Sequence, residues 1–259
     1  GESRYEDVLE RAMYNGALAG ISLSGDRFFY VNPLASSGKH HRKAWYGTAC
    51  CPSQISRFLP SVGNYIYALS ENTVWVNLYI GSETEVETSG VTVALKQETL
   101  YPWDGNVTFY VNPRESKDFK MKLRIPAWCE KYVVKVNGQI EEGKKEKGYV
   151  VIDRLWAAGD VMELNMNMTV KVVAADSRVK ANAGKRALQR GPLVYCMEET
   201  DNPGFDQLGL SSATTYTTAF EKELLGGVVT ITALEGKERI KFIPYYAWDN
   251  RDAGKMKVW

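Results

Sequence analysis

The residues best suited to chemistry are two adjacent cysteines in the segment Tyr46-Gly47-Thr48-Ala49-Cys50-Cys51-Pro52. A thiolate is both a strong nucleophile and a soft metal ligand, so two side by side suggest one site. Pro52 suits the first helical position, and Ile55, Phe58, Leu59, Val62 and Ile66 repeat at helical spacing after it. The cysteines thus sit at a helix N-terminus, where the partial positive charge favours a thiolate. Two inert buried thiols would have the same spacing, and spacing alone does not separate the readings. Zinc takes four ligands in a structural site, or three plus an open position in a catalytic one, and only two thiols cluster here.

Other candidates divide by setting. His40 and His41 fall in the basic run Lys39-His40-His41-Arg42-Lys43 and are expected to be solvated. Cys129 and Cys196 lie in β segments and are expected in the core. Tyr30, in Phe28-Phe29-Tyr30-Val31-Asn32-Pro33, either lines a polar pocket beside the cysteines or is a strand aromatic of the core. Seven Trp and fifteen Tyr would suit stacking on sugar faces, yet alternation assigns residues such as Trp75 and Tyr79 to the core. No Ser-His-Asp set, phosphate loop or paired carboxylates stand at local spacing.

The elements that must position these residues follow from periodicity. Ser3 with Glu6 forms a capping-box pattern, and Tyr5, Val8, Leu9, Ala12 and Met13 share one helical face, which predicts a helix over 4–14. Residues 18–23 and 28–31 around Ser24-Gly25-Asp26 predict a hairpin ended by Pro33, and 35–44 read as a surface loop. Pro60 should kink the second helix or cost it about 3 kcal/mol. From Thr73 the period becomes two: Val74, Val76, Leu78 and Ile80 alternate, as do Met162, Leu164, Met166, Met168 and Val170. Further strands are predicted over 91–97, 107–111, 119–125, 132–137, 149–153, 188–196, 228–234 and 239–243, the pattern of antiparallel sandwiches. The fold class is therefore mainly β behind a helical segment, with 201–212 connecting sheets or modules.

Composition narrows the partners. The 259 residues are 44% hydrophobic, ample for a core, and 32 Lys+Arg nearly balance 31 Asp+Glu, so neither nucleic acid nor a membrane surface is an expected partner. No apolar run is long enough to span a bilayer, no leader pattern stands out, and the four cysteines show no disulfide framework. The opening Gly1-Glu2-Ser3-Arg4 reads as a start inside a longer protein.

Several segments taken in order carry a resemblance: Tyr5 to Gly16, Phe28 to Leu34, Trp45 to Pro52, Val76 to Gly81, Tyr101 to Gly105, Leu123 to Cys129, Ala187 to Tyr195 and Pro244 to Trp248. Together they resemble glycoside hydrolase family 127, the β-L-arabinofuranosidases, and the related family 146. The resemblance implies that 1–70 end an (α/α)6 catalytic barrel, with a β-sandwich over 71–175 and a second one, or C-terminal strands, over 176–259. It implies Cys50 as nucleophile, Cys50 and Cys51 as zinc ligands, and Tyr30 as a sugar-pocket residue. The family's other zinc ligands, in a Glu-Thr-Cys type motif, and its acid/base glutamate would lie in an upstream barrel segment, so no carboxylate of residues 1–259 is nominated. Ser53-Gln54, where the family often has Pro-Asn, and Pro60 depart from the pattern. The implied function is that of the C-terminal portion of a zinc-dependent retaining glycosidase acting on arabinofuranose-containing glycans, inactive without the rest. The alternative is a non-catalytic β-sandwich with a structural or carbohydrate-binding role.

Overall fold

The computed structural model describes residues 1–259, which are mainly antiparallel β-sheet behind a short helical segment. Helix α1 spans Ser3–Ala12, passes into a π-helical turn over Met13–Ala17 and a 3-10 turn over Leu18–Gly20. Helix α2 spans Cys50–Ser61 and continues as a 3-10 turn over Val62–Tyr65. Pro60 therefore falls in the last turn of α2, where the helix ends instead of kinking and the apolar spacing carries on without α-helix. The chain forms two compact units, one of residues 1–10 and 60–168, the other of 11–59 and 169–259.

In the first unit two sheets bury alternate side chains. One runs, in spatial order, Lys144–Glu146, Tyr149–Trp156, Lys117–Arg124, Thr73–Val76 and Tyr67–Ser70. Its pairing of Thr73–Val76 with Lys117–Arg124 is parallel, an exception to the antiparallel expectation. The other runs Ser82–Thr88, Val91–Thr99, Asn106–Pro113, Asp160–Met166, Tyr132–Val136 and Gln139–Ile140, all antiparallel. Met121 and Leu123 from one sheet, and Val107, Phe109, Met162 and Leu164 from the other, are buried, as period-two alternation requires of a sandwich core. The alternation ends at Val76, so Leu78 and Tyr79 are buried outside any strand.

Helix α1 is turned the opposite way to its apolar stripe. Tyr5 and Val8 are 63% and 67% exposed, while Glu10 is buried. Arg124, fully buried, explains the inversion: its guanidinium donates to Glu10 at 2.6 Å, to Asp7 at 2.8 Å and to the Asn77 carbonyl at 2.6 Å. Tyr101 donates a further bond to Glu10 at 2.6 Å. At the helix start, Ser3 N–H bonds Lys147 O at 3.0 Å, and a Cβ on Gly148 would stand 1.8 Å from Ser3 Oγ. Gly148, at φ +84°, is thus required by both conformation and space.

The second unit is built on one antiparallel sheet. Its main path runs Ala35–Ser36, Met256–Lys257, Leu193–Glu198, Glu238–Pro244, Val228–Glu235 and Thr215–Glu221, with Arg186–Arg190 paired to Leu193–Glu198 and Val170–Ala174 paired in turn to Arg186–Arg190. Strand 188–196 of the sequence reading is two strands, broken at Gly191-Pro192. The helical segment docks through Asn15, whose side chain bonds both Val194 N–H and Pro192 O at 2.8 Å. A core of Ala19, Phe29, Cys196, Ile243, Tyr245 and Trp248 lies beneath it.

Two expectations for this unit are corrected. The hairpin over 18–31 reduces to isolated bridges, Ile21 to Phe28 and Phe28 to Lys43, because Leu18–Gly20 coils and Ser22, Ser24 and Asp26 close the turn with side-chain hydrogen bonds. The surface loop 35–44 contains a strand, Ala35–Ser36, and the buried Arg42. Cys196 is a core residue as expected, but Cys129 is only half-buried, its thiol donating to Lys131 O at 3.3 Å.

Candidate active site

Helix α2 begins at Cys50, and its first bond runs from Ser53 N–H to Ala49 O at 3.2 Å. Pro52 and Ile55 are its buried residues, and a Cβ on Gly20 would come within 2.6 Å of the Ile55 side chain. Ile55 thus packs closely against Gly20, while the N-terminal thiols of α2 lie toward the surface. Cys50 is exposed, Cys51 is half-buried, and neither forms a disulfide.

Tyr30 meets this pair. Its hydroxyl lies 3.2 Å from Cys50 Sγ, its carbonyl lies 3.9 Å from Cys51 Sγ, and the two sulfurs are 3.9 Å apart. Tyr46 stands against the Tyr30 ring, centroids 5.4 Å apart, with its own hydroxyl donating to Phe28 O at 3.0 Å. All three residues proposed from sequence, Cys50, Cys51 and Tyr30, therefore converge, with Tyr30 45% exposed and not a core aromatic. Tyr46 was not singled out, because an aromatic inside the cysteine segment carries no periodic signal of its role.

The two thiols are chemically unlike. Hydrogen bonds from the Tyr30 hydroxyl and then the Cys51 thiol hold Cys50 below the usual thiol range. Burial, followed by the neighbouring Cys50, raises Cys51, and contact with Cys50 raises the Tyr30 hydroxyl in turn. Cys50 is the more nucleophilic position by this ordering, since the thiolate is the reactive form.

The pair also fits one soft cation. Zinc–sulfur bonds of about 2.3 Å at tetrahedral angles place two thiolates about 3.8 Å apart, close to the 3.9 Å separation here. No group of three or more His, Cys, Asp and Glu side chains in residues 1–259 is arranged to hold a metal ion. His40 and His41 point elsewhere: His40 Nε2 donates to Val31 O at 2.9 Å, and His41 Nδ1 donates to Asp249 at 2.6 Å. Both are partly exposed, yet anchored by these bonds instead of freely solvated.

Comparison with known proteins gives a consistent family. Residues 1–64 match the family profile described as "Beta-L-arabinofuranosidase, GH127 catalytic domain", 73–168 the GH127 middle domain and 170–259 the "Glycoside hydrolase family 127 C-terminal domain". The chain is 37% identical to the non-reducing end β-L-arabinofuranosidase of Bifidobacterium longum subsp. longum, over 99% of this chain and 45% of that protein. Among solved structures, a GH127 β-L-arabinofuranosidase from Geobacillus stearothermophilus T6 superposes with a TM-score of 0.93 at 40% identity, covering 100% of this chain and 46% of the other. A second, a GH127 β-arabinofuranosidase, gives 0.92 at 38% identity, with the same coverage of 100% and 46%. A β-rich chain with catalytic-domain, middle and C-terminal matches in sequence order is a glycoside hydrolase segment. It belongs to glycoside hydrolase family 127 and spans less than half the length of the relatives it matches.

Proposed function

We propose that this chain is the C-terminal portion of a zinc-dependent retaining glycosidase acting on β-L-arabinofuranosides, with Cys50 as nucleophile. The observation that carries the reading is the exposed Cys50 thiol at the start of α2, 3.2 Å from the Tyr30 hydroxyl and 3.9 Å from Cys51 Sγ. In the proposed reaction the Cys50 thiolate attacks the anomeric carbon as the glycosidic C–O bond breaks and an acid/base carboxylate from outside residues 1–259 protonates the leaving oxygen; water, deprotonated by that carboxylate, then breaks the C–S bond of the thioglycosyl intermediate and releases the thiolate. Sulfur thus takes the place of the carboxylate nucleophile in the two-carboxylate scheme. The Tyr30 hydroxyl donates to the thiolate before attack and lines the pocket for the sugar, while the Tyr46 ring supports it. Bound zinc, held on Cys50 and Cys51, would keep the thiols deprotonated at neutral pH. The relatives' greater length supports placing the acid/base carboxylate and the remaining metal ligands outside residues 1–259.

The test uses the longer parent protein. Hydrolysis of a p-nitrophenyl β-L-arabinofuranoside, loss of at least about 10³-fold in kcat on Cys50→Ala, and a sugar-sized mass increase on the Cys50 peptide after quenching are expected. Stoichiometric zinc that falls on Cys51→Ala is expected beside them, and the product should first appear with retained anomeric configuration by NMR. A zinc-free parent with an unreactive Cys50 overturns the proposal in favour of a non-catalytic sandwich. Residues 1–259 alone should show no hydrolysis.

A further inference from the structure

The basic run Lys39–Lys43 has no place in that reaction, yet it carries the most heavily bonded side chain near the site. Arg42 is buried, and its guanidinium donates to three carbonyls: Trp248 O at 2.5 Å, Ala19 O at 2.8 Å and Tyr246 O at 3.2 Å. It also lies 4.2 Å over the Phe29 ring. Phe29 stacks further on His40 and on Trp248, each at 4.9 Å between centroids, and its N–H bonds Gly20 O at 2.9 Å. His40 holds the Val31 carbonyl. The residues on both sides of Tyr30 are therefore clamped, and the Tyr30 hydroxyl between them lies 3.2 Å from Cys50 Sγ.

The clamp is closed from the C-terminal part of the chain by Asp249. Its carboxylate accepts from Arg42 N–H at 2.8 Å and from His41 Nδ1 at 2.6 Å, and its own N–H donates to Glu198 at 2.9 Å. Asp249 sits at φ +57°, a left-handed conformation costly for most residues with a Cβ. Aspartate and asparagine both tolerate that backbone and glycine adopts it freely, so replacing Asp249 by either asparagine or glycine changes its side-chain contacts without adding backbone strain.

We infer that Asp249 and Arg42 are positioning residues, which through Phe29 hold the Tyr30 hydroxyl against the Cys50 thiol. This rests on the reading of Cys50 as the reacting thiol. It assigns the C-terminal domain a role in the site: residues 246–249 fix a side chain that they do not touch.

The experiment measures, in the longer parent protein freed of metal by chelator, the iodoacetamide alkylation rate of Cys50 at pH 7.5, resolved by peptide mass spectrometry. Asp249→Gly is expected to slow Cys50 about fivefold, the effect of one lost hydrogen bond, with the buried Cys196 of the same unit still unreactive as the check on folding. Tyr30→Phe should slow it equally, and the double variant should be no slower than either single one. Asp249→Asn, which keeps an acceptor for Arg42 N–H and suits the backbone, should stay within about twofold of the parent. Unchanged Cys50 reactivity in Asp249→Gly overturns the inference. So do additive effects in the double variant, or an Asp249→Asn rate as low as that of Asp249→Gly. Should Asp249→Gly fail to fold, the same comparison with Tyr30→Phe is made on Asp249→Ser, with the same expected and overturning results. Failure of glycosidase activity in the unsubstituted parent would instead count against the proposed function, and leaves the alkylation comparison decisive for the clamp.

Discussion

At the scale of single residues, the surroundings of Cys50 and Cys51 make two neighbouring thiols different. Tyr30 and Cys51 hydrogen bonds favour ionised Cys50, whereas burial disfavours ionised Cys51. In metal-free protein, the pH profile of alkylation should therefore rise at lower pH for Cys50 than for Cys51; coincident profiles would show that the Tyr30 contact has no chemical consequence. His41 gives a second pH effect of opposite sense. Its hydrogen bond to Asp249 raises the imidazole above its ordinary value, so the protonated form is favoured in the folded state. That contribution is fully present below about pH 6.5 and is lost as pH rises through the raised value. The difference in melting temperature between the parent and His41→Gln should then be larger at pH 6 than at pH 9, and a pH-independent difference would exclude a charged pair. Since His41 is half exposed, the effect should be small.

At the scale of elements, polar anchors set the packing where apolar periodicity cannot. Helix α1 turns Asp7 and Glu10 toward Arg124, although its apolar residues share another face. Arg124→Met would leave buried Glu10 without its counter-charge and the Asn77 carbonyl without its donor. A loss of about 3–5 kcal/mol is expected in urea unfolding, and Arg124→Met combined with Glu10→Leu should recover part of it. A loss below about 1 kcal/mol would mean that α1 is held by other contacts. The same contrast explains what was legible in the sequence. Alternation revealed Val91–Thr99, Asn106–Pro113 and Asp160–Met166, since one face of each is buried. Thr215–Glu221 went unrecognised because neither face is buried, and Ser82–Thr88 because its first residues alternate only between half-buried and exposed. The Cys50, Cys51 and Tyr30 cluster was legible because helix start, cysteine pair and neighbouring aromatic lie within 21 residues. Arg42 was not: its anchor, Asp249, is 207 residues away, and nothing in a basic run marks one member as buried. Side chains whose partners are distant in sequence leave no local pattern.

At the scale of the whole molecule, the distribution of exposed apolar side chains argues for further protein around the segment matched to the catalytic domain. Of sixteen large exposed apolar residues, seven fall within residues 1–64: Tyr5, Val8, Leu23, Tyr30, Val31, Leu34 and Trp45. A quarter of the chain thus holds nearly half of them, and Tyr5 and Val8 lie one turn apart on the outward face of α1. A helix that shows carboxylates to its own unit and an apolar stripe outward is amphipathic toward a second layer. The relatives, more than twice as long, supply chain from which such a layer could be built. If this face is covered in the longer parent, Tyr5→Lys with Val8→Lys should lower its stability by about 3 kcal/mol or more, because each apolar side chain contributes about 1.5–3 kcal/mol when fully buried. In residues 1–259, where both positions face solvent, the same pair should change stability by no more than about 0.5 kcal/mol. Chemical denaturation of both lengths with and without the two lysines decides the matter. Equal, small effects in the two would show that α1 keeps its apolar face in water.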